Sequence, residues 1–190
     1  VAERWGSGDT PSTGTNGRQA QTGIELPDGR TYQPKAEQLA EDDVSPVRIL
    51  TGFIAGFLSV LVFQSGLIAV LHGGGLIPFA PWSMNPVPPF GVPQVLSGAF
   101  WGGLWGIVYA WLEPWLTARL PWWLGGLLFG ATLPVLVLLF IVIPLKGGPV
   151  GGNAGLAGIP LMVGIHAFFG LGTAVFFRVG QALTAKRLPA

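Results

Sequence analysis

Cysteine is absent from this 190-residue chain, which excludes disulfides, thiolate metal sites and thiol catalysis. Charge is also scarce. After Pro46 only Arg48, Glu113, Arg119, Lys146 and Arg178 occur before the Lys186-Arg187 pair. A soluble domain is about 25% charged; here the fraction is 10%, and 50% of the residues are hydrophobic. Histidine occurs twice, as His72 and His166. These gaps leave no cluster at metal-ligand spacing, no nucleophile near a base, no phosphate loop and no charged relay. Neither enzymatic catalysis nor nucleic acid as a partner is therefore expected.

What remains is apolar and arranged in long runs. Ile49–Leu71, Val92–Leu112, Trp122–Leu145 and Ile159–Phe177 each match the roughly 20 apolar residues of helix that cross a hydrocarbon core. The expected fold is all-α, an integral membrane four-helix bundle over residues 47–190, with the lipid bilayer as its surroundings. Residues 1–46 form an acidic tail with four basic residues against eight acidic ones, whereas the remainder carries six against one.

Up to Gly23 the tail is polar and low in complexity, too poor in apolar area to offset chain entropy, so disorder is expected there. It has neither the apolar core of a secretory signal nor the arginine-rich character of a transit peptide, which leaves the first span as the expected insertion signal. Around Asp28-Gly29 the run Ile24–Tyr32 has the alternation and turn chemistry of a small hairpin. Lys35–Asp43 reads as a short helix that stops before Pro46. The tail is either a solvated linker or a docking segment for a partner.

Orientation follows from the basic residues. With four spans both termini share a side, and that side collects Lys35, Arg48, Arg119, Arg178, Lys186 and Arg187 against Lys146 alone. The positive-inside rule makes it cytoplasmic. Trp111, Trp115, Trp122 and Trp123 flank the turn Glu113–Pro121 as an interfacial belt, and Glu113 is expected to pair with Arg119 there. Pro160 suits a first helical turn and Pro144 a helix end, while Pro134 should kink the third span.

Small residues recur every four positions in each span: Gly52 and Gly56; Gly98, Gly102 and Gly106; Gly126 and Gly130; Gly170 and Ala174. Such spacing puts them on one helix face, where neighbouring backbones can approach closely. The expected outcome is a self-packed bundle, with contact to another membrane subunit or a homo-oligomer as the alternative use. Trp101 and Trp105 flank these rows and should fill gaps between helices. No repeat between the two halves stands out.

His166 lies about seven residues inside the fourth span, and an ionisable group there calls for a partner. Gln64 sits at nearly the same depth on the first span, which predicts an interhelical Gln64–His166 bridge. The sharper reading makes His166 an axial ligand to a tetrapyrrole; otherwise no cofactor is expected. Between the first two spans, Gly73–Gly91 is uncharged and rich in proline, and should cover the bundle mouth or a partner.

The run Phe90-Gly-Val-Pro-Gln-Val-Leu-Ser-Gly-Ala-Phe-Trp-Gly-Gly-Leu-Trp-Gly106, with Pro144-Leu-Lys-Gly147 later, resembles uncharacterised small four-span inner-membrane proteins of proteobacteria. The resemblance covers the membrane body and not the tail. It implies a bacterial inner membrane and carries no activity. The expected role is a non-enzymatic structural or accessory subunit, with a small transporter or channel as runner-up.

Overall fold

The computed structural model describes residues 45–152 and 155–185 together with a small hairpin in the tail, and the chain divides into two units, 1–40 and 41–190. In the first, β1 (Ile24–Glu25) runs antiparallel to β2 (Thr31–Tyr32), with Ile24 opposite Tyr32 and Glu25 opposite Thr31. Gly29 takes the left-handed turn position, φ +79°, which costs a residue without Cβ nothing. The helix read at Lys35–Asp43 and the disorder read up to Gly23 lie outside the described residues.

The second unit is an all-α membrane bundle of four helices, each long and apolar enough to cross a bilayer. Helix α1 (Pro46–Gly73) starts where Ser45 Oγ accepts the Arg48 N–H at 3.2 Å and Pro46 occupies the first turn, satisfying one of the free donors of a helix start. Helices α2 (Gln94–Thr117), α3 (Trp122–Leu145) and α4 (Gly155–Ala185) follow. Pro144 falls at the end of α3, as read, but Pro160 lies within α4 instead of in its first turn. Two helices contain a π segment, Val60–Gln64 in α1 and Leu138–Val142 in α3. Pro134, where a kink is expected, lies inside α-helical turns, has no N–H to give Gly130 O, and precedes the second π segment by one turn.

Glycine sets the distances between helices. A Cβ on Gly52 would stand 2.6 Å from Gly106 O, and one on Gly56 only 2.9 Å from Gly106 Cα. In the second hairpin a Cβ on Gly126 would stand 2.7 Å from Gly170 O, and one on Gly130 2.9 Å from Gly170 Cα. Each α-hydrogen therefore faces a backbone carbonyl or α-carbon across the crossing, a geometry that favours weak Cα–H···O contacts. Gly98 is different: its nearest neighbour would be Val60 Cγ1 at an ordinary 3.8 Å.

The α1–α2 and α3–α4 hairpins thus repeat one register, Gly106 and Ala110 of α2 corresponding to Gly170 and Ala174 of α4. Sequence inspection misses this repeat because the residues between the small positions differ. Two-fold symmetry would make α1 meet α4 as closely as α2 meets α3. It does not. On α4, Gly172 lies against Ser59 and Phe63, and Gly180 lies against Thr51. The corresponding positions of α2 hold Val108 and Leu116, and of these only Leu116 meets a glycine of α3, Gly125. Helices α2 and α3 meet near the end where α1 begins and α4 finishes, through Gly125 and Leu116 and through the edge-on rings of Trp105 and Tyr109 against Phe129.

The register also fixes where α2 begins. With Gly106 against Gly52 and Gly102 against Gly56, Gln94 falls opposite Gln64, nine residues before the end of α1 and roughly 14 Å short of it at 1.5 Å per residue. The 74–93 segment descends to meet it. Trp82, at the unusual φ of +47°, donates its indole N–H to Leu61 O at 2.8 Å. The first amides of α2 are capped from the same segment, Gln94 N–H by Asn85 O at 2.9 Å and Val95 N–H by Ser83 O at 3.0 Å, and β3 (Pro86–Val87) pairs with β4 (Val92–Pro93). Irregular backbone at membrane depth is tolerated where its polar groups are satisfied in this way.

Candidate functional site

Where α2 and α3 part, a cavity of about 320 Å³ opens. Gly98, Trp101, Gly102 and Trp105 of α2 form one wall, and Pro134, Val137, Leu138 and Val142 of α3 form the other, with Lys146 beyond them. Behind stand Val60 and Gln64 of α1 and His166 and Phe169 of α4. Both π segments therefore contribute to it. A π turn re-aims the side chains that follow it, and such turns recur at functional sites.

The cavity brings together the two polar residues singled out from sequence, but not as a bridge. No side-chain hydrogen bond joins Gln64 to His166 among the described residues. His166 Nδ1 instead lies 2.9 Å from Met162 O, one turn back on its own helix. A carbonyl oxygen can only accept, so Nδ1 carries the proton and a neutral ring presents Nε2 as an acceptor. Every buried polar side-chain atom among the described residues has a partner. The Gln64 amide and His166 Nε2, which meet no protein group there, are consequently open to the cavity.

The polar tie between α1 and α4 is made elsewhere, by Ser59. Its hydroxyl and that of Thr173 both donate to Phe169 O, and both side chains are fully buried. Hydroxyls are hard to single out in sequence because they satisfy themselves on backbone at many positions. The one available signal is that Ser59 continues the four-residue row of Gly52 and Gly56 by three positions.

At the other end of the bundle the expected Glu113–Arg119 pair is replaced. Glu113 Oε2 accepts from Arg48 Nη2 at 3.0 Å, and the same guanidinium donates to Ala110 O at 2.8 Å and 3.1 Å. It also lies 5.2 Å from the Phe177 ring centroid, a cation–π contact. Tyr109 packs edge-on to Phe177 and Phe129, so three helices converge on this cation. Arg48 reaches Glu113 because the glycine register places the first turn of α1 beside the sixth turn of α2, a pairing that sequence spacing alone does not reveal. Across the bundle Arg178 lies 5.2 Å from the Trp122 ring centroid.

Among the small residues, Gly52, Gly56, Gly102 and Gly106 sit at the first crossing, and Gly126, Gly130, Gly170 and Ala174 at the second. Gly98 faces the cavity. His72 Nδ1 lies 3.1 Å from Ile77 O in the turn after α1, far along the helix from His166's level. Comparison with protein families, with curated proteins and with solved structures finds no match to this chain.

Proposed function

We propose that the chain is a non-enzymatic accessory protein of a bacterial inner membrane, both termini cytoplasmic, that holds a lipid-soluble small molecule between α2 and α3. The observation that carries this reading is the cavity itself. It is apolar, lies beside the seam where two membrane helices fail to close, and contains polar groups that the protein leaves unbonded. Ligand sites combine apolar walls with a few convergent polar groups in this manner. The distribution of basic residues supports the orientation.

The test is purification of the full chain from its native membrane, with mass spectrometry of extracted small molecules. A compound in near-stoichiometric amount should accompany the protein and be lost in Gly98→Phe, whose ring would enter the cavity. If nothing is enriched over bulk lipid in either form, the reading fails. A tetrapyrrole on His166 is disfavoured by size, since about 320 Å³ lies at the lower end of the range for drug-sized ligands; a Soret band lost in His166→Ala would reinstate it. A small transporter or channel is the second reading, favoured by π segments on both α1 and α3 beside the cavity, and solute flux into liposomes would establish it.

A further inference from the structure

We propose that the molecule held between α2 and α3 is a lipid-soluble phenol, an aromatic ring bearing a free hydroxyl and an apolar tail, of the hydroquinone type. This rests on the binding role proposed above and adds the chemistry of the head. The bond from His166 Nδ1 to Met162 O leaves Nε2 as a hydrogen-bond acceptor. Only a donor satisfies it. Ester carbonyls, ethers and oxidised quinones carry oxygen acceptors alone and leave Nε2 bare, while a hydroxyl fills it. Gln64, across the cavity on α1, offers both an N–H donor and a carbonyl acceptor, so it accepts either role from a second oxygen on the same ring.

The rest of the wall narrows the class further. Trp101, Trp105 and Phe169 border the same space, and flat side chains favour a flat head through stacking and edge contacts. Among the lining residues only Lys146 bears a fixed charge, and it lies near the outer end of α3, twelve residues beyond Pro134. A neutral head therefore suits the depth of Gln64 and His166 better than a phosphate or a carboxylate. The tail leaves through the gap between α2 and α3, where Trp101 is 61% exposed.

The probes are 4-decylphenol and its methyl ether 4-decylanisole, which differ in the hydroxyl donor. Each is titrated into the full chain in nanodiscs cleared of native small molecules, with binding read by native mass spectrometry. With only two histidines in the chain, the His166 Nε2 resonance is also followed by ¹⁵N NMR. The phenol is expected to bind one per chain, about tenfold tighter than the ether, the loss of one hydrogen bond, and to shift the Nε2 resonance. His166→Leu should erase the difference between probes, while His72→Leu should preserve it. Equal affinity for the two probes, or a preference that survives His166→Leu, overturns the phenol assignment while leaving a cavity that binds lipid-soluble molecules. Failure of both probes to saturate, together with identical behaviour of Gly98→Phe, overturns the binding role as well.

Discussion

Placing alanine at Gly56 and at Gly98 should have opposite effects although both belong to the small-residue rows. At Gly56 the new methyl would lie 2.9 Å from Gly102 C and from Gly106 Cα, where carbon pairs prefer about 3.5–4.0 Å. The obstacle is opposing backbone, which cannot rotate away, so α1 and α2 must part by roughly 1 Å. Such a gap forfeits a quarter to a half of each contact of about 0.15 kcal/mol, and with on the order of 30 atom pairs at the crossing the loss is about 2 kcal/mol. Measured overpacking costs fall in the same range, about 1–3 kcal/mol. At Gly98 the methyl meets Val60 Cγ1 at 3.8 Å, a normal contact, and the helix gains a residue of better propensity. Gly98→Ala should be neutral or slightly stabilising. Reversible unfolding in mixed micelles measures both, with Gly66→Ala, whose Cβ would meet nothing within 4 Å, as the control. Equal destabilisation by Gly56→Ala and Gly98→Ala would refute the register.

Three further outcomes are expected. Arg48→Met should cost on the order of 3 kcal/mol of unfolding free energy because it strands the Glu113 carboxylate; Glu113→Gln should cost less, since Arg48 keeps its two bonds to Ala110 O. Removing the indole donor with Trp82→Phe should cost about 1 kcal/mol and appear as faster hydrogen exchange confined to 76–95. A single cysteine placed at Ser12 should resist an impermeant thiol reagent in intact cells while one at Lys146 reacts, and the reverse pattern would invert the orientation.

The spans are legible from sequence because hydropathy accumulates over a whole bilayer thickness, so an error of a few residues hardly matters. Helix α2 shows the residual error: Val92 and Pro93 belong to a strand, and the helix runs on to Thr117. The Asp28-Gly29 hairpin is legible because its turn chemistry is local. Partner identity is less so. Glycine spacing says which face is narrow but not which helix fills it, and Gly172 and Gly180 escape notice because they pair with hydroxyl-bearing and aromatic residues instead of other glycines. Depth located Gln64 and His166 in one cavity, yet no bond joins them: His166 Nδ1 bonds Met162 O on its own helix, and Nε2 and the Gln64 amide both face the cavity. The cavity is illegible in any single segment, for its lining is drawn from all four helices.

Helix α1 holds one residue more between Val60 and Gln64 than an uninterrupted α-ladder would use, the meaning of a π segment. Every residue beyond it, Gln64 included, is turned by about 100° relative to that ladder. The half of α1 beyond Ser59 therefore faces where it does by virtue of a residue count, whatever side chains it carries. Removing one residue there would let the segment close to an ordinary α-ladder with the Gln64 amide still on its present face and the Gly52–Gly56 crossing untouched. In this helix the π segment is a phase corrector, holding the two halves of α1 in fixed register while the number of residues between them differs by one.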